Sequence, residues 1–184
     1  MRSTKGEHTS PMRLDSPTKE DTSVQRLRVD IADASSVSAL LRVPDGAWAG
    51  YVFAHGPGAG MEHGFMTRFA DGLAARGIAT LRYQFPYREQ GSKRPDAPKV
   101  AHAAARAAVA QAAQCLPGLS LFAGGKSYGG RMTSQAQALS PLPGVRGLIF
   151  VGFPLHPAGK PGDERAAHLF EIERPMLFLQ GTRD

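Results

Sequence analysis

Five strongly apolar segments are separated by stretches of helical periodicity, and this alternation constrains the fold more than any other feature. The segments are 47–54 (AWAGYVFA), 77–85 (GIATLRYQF), 119–123 (LSLFA), 145–153 (VRGLIFVGF) and 176–179 (MLFL). A helix is expected over about 62–76, because Phe65, Phe69 and Leu73 recur at i, i+4 and i+8 and Gly77 stands where a C-terminal cap belongs. An Ala-rich helix is expected over about 99–115, ending before Pro117-Gly118. A third helix runs from the glycine-rich turn near 124–130 to about Leu139, and a short fourth covers 164–172. Strands alternating with helices in this way form a mostly parallel sheet with helices on both faces, a doubly wound α/β fold. Upstream, 26–32 and 37–43 alternate apolar and polar side chains in part and read as two strands of a hairpin.

The chain's 184 residues suit one domain. Hydrophobic residues at 42% and charged residues at 21% exclude a fibrous or wholly disordered chain. The first 24 residues are polar, with two prolines and mixed charges, so we expect a disordered tail over 1–24 and a folded domain over 25–184. That tail has no apolar h-region of the kind a secretory signal needs. No run approaches the ~18 apolar residues of a membrane span. Cytoplasmic localisation without membrane association is therefore the expectation. Cys115 is the single cysteine, which excludes an internal disulfide and a thiolate zinc cluster. No metal or organic cofactor is expected. The net charge of +6 is spread thinly along the chain, so nucleic acid is not an expected partner.

The sharpest local signal is Gly125-Lys126-Ser127-Tyr128-Gly129, followed by Gly130 and Arg131. It comes directly after an apolar strand and opens a helix, which is the setting of a nucleophile elbow. There the serine occupies a strained turn, and glycines two residues before and after it avoid clashes with the neighbouring strand and helix. Ser127 would lie at a helix N-terminus, where backbone N–H groups stabilise developing negative charge. An ordinary serine in a glycine-rich turn is the plainer alternative. A phosphate-binding P-loop is excluded, because its first glycine would fall at Ser120 and its cradle on an apolar strand. The dinucleotide fingerprint fails as well: Gly56 and Gly58 match, but the third position is Met61.

A second loop, His55-Gly56-Pro57-Gly58-Ala59-Gly60, follows the strand that ends at Ala54. In a serine hydrolase such a loop supplies an oxyanion-hole donor beside the N–H of the residue after the nucleophile, here Tyr128. Pro57 has no N–H, so Gly58 or Ala59 is the expected loop donor. His55 is expected to pin the loop by hydrogen bonding more than to act as a base. His63 is a capping candidate.

The blocks HGPGAGMEHGFM (55–66), LRYQFPYREQGSKRPD (81–96), GGKSYGGRM (124–132), GLIFVGFPLHPAGKP (147–161) and PMLFLQGTRD (175–184) together resemble the α/β-hydrolase superfamily. They are most similar to its dienelactone-hydrolase-like branch, which includes a testis-expressed protein and a subunit of a chromatin acetyltransferase complex. The resemblance covers about 50–184. It implies an α/β-hydrolase fold, Ser127 as nucleophile and Asp184 at the acid position. In that superfamily the histidine base follows the acid after one more strand. Measured against that pattern, the base, the last strand and the last helix are missing after Asp184, so the expected domain is C-terminally incomplete.

Internal candidates for a base are His156, which follows the strand ending near Phe153, and more remotely His55. His168 and His102 are expected to be structural. Arg88, with Lys93 and Arg94, lies in a basic loop after the Phe85-Pro86-Tyr87 turn, at the carboxyl end of a strand where ligands bind in open sheets. Arg88 and Tyr87 are therefore candidate pocket residues, and Arg88 would favour an anionic substrate. Arg131 is expected to anchor its helix. The function expected from these residues is hydrolysis of an ester, thioester or related acyl bond in a small-molecule substrate. A non-catalytic binding or scaffold domain is the alternative. The apolar run 176–179 suggests a strand covered on both faces; left uncovered, it would make an edge for homo-oligomer formation.

Overall fold

In the computed structural model, the structure describes residues 24–31, 35–156 and 162–181. The predicted tail lies outside them except for Val24, and Asp184 lies outside them entirely.

Seven strands form one sheet in the order β1-β2-β4-β3-β5-β6-β7. The strands are β1 (Gln25–Ile31), β2 (Ser35–Arg42), β3 (Ala49–Ala54), β4 (Ile78–Tyr83), β5 (Ser120–Lys126), β6 (Val145–Val151) and β7 (Met176–Leu179). β1 and β2 form the expected antiparallel pair, and β2 joins β4 antiparallel. All other pairings are parallel, as the alternating pattern requires.

β3 sits at the centre, and all six of its residues are buried. Its side chains alternate between two cores. Tyr51 and Phe53 pack with Met66, Phe65, Phe69 and Leu73 of α1 (Gly64–Ala74). Val52 and Ala54 belong to the larger core on the other face, which includes α3 (Pro98–Cys115) and α4 (Tyr128–Leu139). The small side chains of α3, with Ala101, Ala104, Ala105, Ala108 and Ala112 all buried, let it lie close to the sheet. His63 caps α1, its Nδ1 accepting the Phe65 N–H at 3.2 Å.

Four local expectations need correction. β5 does not stop at Ala123 but continues through Gly124-Gly125-Lys126. Gly124 has φ +154, and a Cβ there would lie 1.9 Å from the Ile149 carbonyl oxygen of β6, so only glycine extends the strand. The Phe85-Pro86-Tyr87 turn is a short helix, α2 (Pro86–Glu89), with Pro86 in its first turn. The helix expected over 164–172 contracts to a 3₁₀ segment, Ala167–Glu171. Finally, β7 is not covered on both faces: Leu177 is 52%, Phe178 39% and Leu179 44% exposed. Its packing comes from Phe178 against Phe150 and Phe153, at ring-centroid distances of 4.9 and 5.8 Å.

Candidate active site

In an open parallel sheet, the crevice at the strand carboxyl ends lies where successive crossovers run in opposite directions. Here that point is β3, flanked by β4 on one side and β5 on the other. The loops leaving β3 and β5 therefore meet, and they carry the two motifs singled out in the sequence.

Ser127 is the residue between β5 and α4. Its φ of 49° and ψ of −114° make it the only non-glycine residue with positive φ among those described. That conformation costs of order 1–3 kcal/mol and persists only where the surroundings impose it. The surroundings here are identifiable. The Ser127 N–H donates to the Val151 carbonyl of β6 at 3.0 Å, and its own carbonyl accepts the Arg131 N–H at 3.1 Å. The flanking glycines are sterically required. A Cβ at Gly125 would lie 2.5 Å from the Ala54 carbonyl oxygen, and one at Gly129 would lie 2.5 Å from that of His55. The start of α4 thus presses against the end of β3, and the serine is left in a sharp strand-to-helix turn. This is elbow geometry.

The β3 loop runs alongside. A Cβ on Gly56 would lie 3.9 Å from that of Ser127. His55 is fully buried and uses both ring nitrogens. Nδ1 is 2.8 Å from the Gly56 carbonyl, and Nε2 accepts the Phe85 N–H at 3.1 Å. Nδ1 therefore carries the proton and donates it to Gly56. Burial lowers the pKa of His55 to about 4, assisted by the positive charge of Arg88 and opposed by the hydrogen bond to Gly56. This is the pinning role expected of it, and it leaves no nitrogen to serve as a base.

Neither expected loop donor stands open. The Gly58 N–H donates to the Tyr87 hydroxyl at 3.3 Å, and the Ala59 N–H turns back to the Gly56 carbonyl at 3.4 Å. Tyr87 is itself buried, and its backbone N–H donates to Asp96 Oδ2 at 3.0 Å. The Tyr128 hydroxyl donates to the Asp96 carbonyl at 3.2 Å. The loop of β3, α2, the segment before α3 and the elbow are thus tied into one hydrogen-bonded unit. His55, Phe85, Tyr87 and Tyr128 stack within it. Burial raises the phenol pKa of Tyr87, and that of Tyr128 to about 12, so both remain donors at physiological pH.

Residues 48–184 match the family described as "Alpha/beta hydrolase domain". The chain belongs to the alpha/beta hydrolase family. Dienelactone hydrolase from Anabaena variabilis superimposes with a TM-score of 0.74 at 20% identity, over 88% of this chain and 74% of that one. A serine hydrolase homologue from Coxiella burnetii gives 0.64 at 16%, over 85% and 86%. Brefeldin A esterase, a bacterial homologue of human hormone-sensitive lipase, gives 0.59 at 22%, over 77% of this chain and 43% of the esterase. These likenesses show the shared α/β-hydrolase fold.

In this alpha/beta hydrolase chain the other histidines are distributed as follows. His168 Nε2 is 2.7 Å from Ser134 Oγ, and His102 Nε2 is 3.2 Å from Gln135 Oε1, so both brace α4. His156 is exposed in the loop after β6, with its carbonyl accepting from Arg165 at 3.4 Å. Among the described residues, no imidazole is within hydrogen-bond contact of the Ser127 hydroxyl. Arg88 reaches the Ser92 carbonyl at 3.4 Å, while its neighbour Glu89 turns away to pair with Arg28 and Ser38. The Nε of Arg131 is buried without a hydrogen-bond partner. Burial lowers its pKa, as does the nearby charge of Arg165. Among the described residues no cluster of three or more His, Cys, Asp or Glu side chains could hold a metal, and no helix is long and apolar enough to cross a membrane.

Sequence reasoning found the elbow and the glycine loop because glycine spacing reports steric contact directly. It missed the bond between Tyr87 and Gly58, which depends on how α2 folds back over the loop of β3. The missing N–H of Pro57 was the available clue.

Proposed function

We propose that this chain is a serine hydrolase of esters, thioesters or related acyl bonds in small molecules, with Ser127 as nucleophile. The observation that carries this reading is the strained backbone of Ser127, held between two glycines that β3 leaves no room to replace. Strain maintained by the surrounding fold at a cleft is the mark of a residue placed for chemistry.

The Ser127 hydroxyl would attack the substrate carbonyl carbon and pass its proton to a base. The resulting oxyanion would face the Tyr128 N–H at the start of α4, where the helix dipole also favours negative charge. Collapse would expel the alcohol or thiol and leave an acyl-enzyme, which water then cleaves. Gly58 and Ala59 serve as loop donors only by giving up their bonds to Tyr87 and Gly56. Asp184 is the proposed acid. His156, exposed in the loop that follows β6, is the proposed base among the described histidines because that loop lies at the carboxyl end of the strand next to β5. We also propose membership of the narrower branch that the five motif blocks resemble, and a cytoplasmic setting.

Labelling with a fluorophosphonate probe tests this reading. The wild type is expected to label, Ser127→Ala to lose labelling, and His156→Gln to label ~10²–10⁴-fold more slowly. A folded wild type that never labels favours the second reading, a non-catalytic binding domain. That second reading is favoured by the Gly58 and Ala59 N–H groups, which are already engaged by Tyr87 and Gly56.

A further inference from the structure

An oxyanion in this fold needs donors from two sides. Tyr128 supplies one from α4. On the other side the loop positions 57–59 are accounted for. Pro57 has none. The Ala59 N–H closes its own turn on Gly56. The Gly58 N–H points at the Tyr87 phenol oxygen. What faces the loop at this point is a hydroxyl.

That hydroxyl is held firmly. Tyr87 is 2% exposed. Its backbone N–H is bonded to Asp96, and its ring packs against His55, Phe85 and Tyr128 at centroid distances of 6.0, 6.4 and 6.4 Å. Its oxygen accepts from Gly58, and among the described residues its own proton has no acceptor. Gly58 reaches this position with φ +69, and two residues earlier Gly56 lies against Ser127. A buried phenol with its oxygen already hydrogen-bonded and its proton unspent, packed on the residue that follows a strained serine, has the chemistry of an anion donor.

We propose that the Tyr87 hydroxyl is the second oxyanion donor, in place of the backbone N–H that Pro57 cannot supply. This rests on the serine-hydrolase reading of Ser127. As the tetrahedral intermediate forms, the phenol O–H donates to the new alkoxide oxygen while the Gly58 N–H continues to donate to the phenol oxygen. No proton is transferred; both bonds shorten with the developing charge and relax when the intermediate collapses. Donation into the phenol oxygen strengthens its outgoing bond, since chained hydrogen bonds polarise one another. Tyr87 thereby becomes a catalytic residue, and Asp96 a positioning residue that acts through it.

The test is steady-state hydrolysis of p-nitrophenyl acetate, with fluorophosphonate inactivation rates, in the wild type and Tyr87→Phe. The expected result is a roughly 10²–10³-fold loss of kcat and of inactivation rate, with KM little changed. A phenol that only holds the loop would instead lower the melting temperature and leave kcat intact, overturning the proposal. If Tyr87→Phe does not fold, replacement of Tyr87 by the more acidic 3-fluorotyrosine keeps ring and hydroxyl. Its kcat should fall off at lower pH than that of the wild type, and an unmoved alkaline limb would overturn the proposal. A wild type that neither turns over nor labels overturns the hydrolase reading and this proposal with it. An active wild type matched by an equally active Tyr87→Phe overturns the role of Tyr87 alone.

Discussion

The imidazole of His55 accepts the backbone N–H of Phe85 at 3.1 Å, joining the end of β3 to the turn that follows β4. That bond requires Nε2 to be unprotonated. The folded state therefore holds the His55 pKa near 4, with burial as the leading cause, against an ordinary 6.5. The sign follows: between these values the unfolded chain binds the proton and the folded chain does not. Stability is fully present above pH 6.5 and falls as the pH drops toward 4, by up to roughly 3 kcal/mol from this group. His102 and His168 shift in the same direction, so the variant comparison isolates His55. Urea unfolding at pH 7.5 and 4.5 is expected to show a smaller difference in His55→Gln than in the wild type. An equal difference in both would disprove the assignment.

Gly129 lies against a carbonyl rather than a flexible side chain. Its Cβ position is 2.5 Å from the His55 carbonyl oxygen and 2.7 Å from the Ala54 carbonyl carbon. Backbone cannot give way cheaply, so Gly129→Ala is expected to cost about 2–4 kcal/mol. Gly144→Ala is the control. Its φ is +74, with nothing within 4 Å of the Cβ position, so it should cost only about 1 kcal/mol. Denaturant midpoints of the two variants check the difference; similar losses would refute a special steric role for Gly129.

Ser127 has the opposite relation to stability. A side chain at φ 49° is strained, and glycine relieves it. Ser127→Gly is expected to raise unfolding stability by about 1 kcal/mol while abolishing fluorophosphonate labelling. A variant both less stable and unlabelled would mean the backbone conformation is not strained in solution.

The exposed side chains of β7 predict concentration-dependent association. Leu177 and Leu179 project from one face, each roughly half exposed. Light scattering should show self-association of the wild type at high concentration, reduced in Leu177→Lys/Leu179→Lys. A wild type monodisperse at every concentration would dismiss it.

How much was legible in the sequence depended on the range of the cause. The parallel core was legible because β3 is apolar on both faces, and a strand buried on both sides shows no alternation to misread. Ser127 was legible because Gly125 and Gly129 record contacts within one turn. The extent of β5 was not: Gly124 looks like a loop residue until Ile149 is seen pressed against it. β7 misled for a related reason. Four consecutive apolar residues describe a strand suited to burial but say nothing about which neighbours cover it. Tyr87 was named as a candidate pocket residue, but its bond to Gly58 depends on β4 and α2 bringing together residues 29 positions apart.

The central place of β3, paired to β4 on one side and β5 on the other, also sets an order of events during synthesis. β3 and β4 can meet while the ribosome is still translating α3. The glycine loop must then wait, lacking the wall that the elbow later provides, until Lys126 and the first turn of α4 have left the exit tunnel. The β5 side of β3 therefore stays open longer on the nascent chain than its β4 side, and β6 and β7 complete the sheet later still.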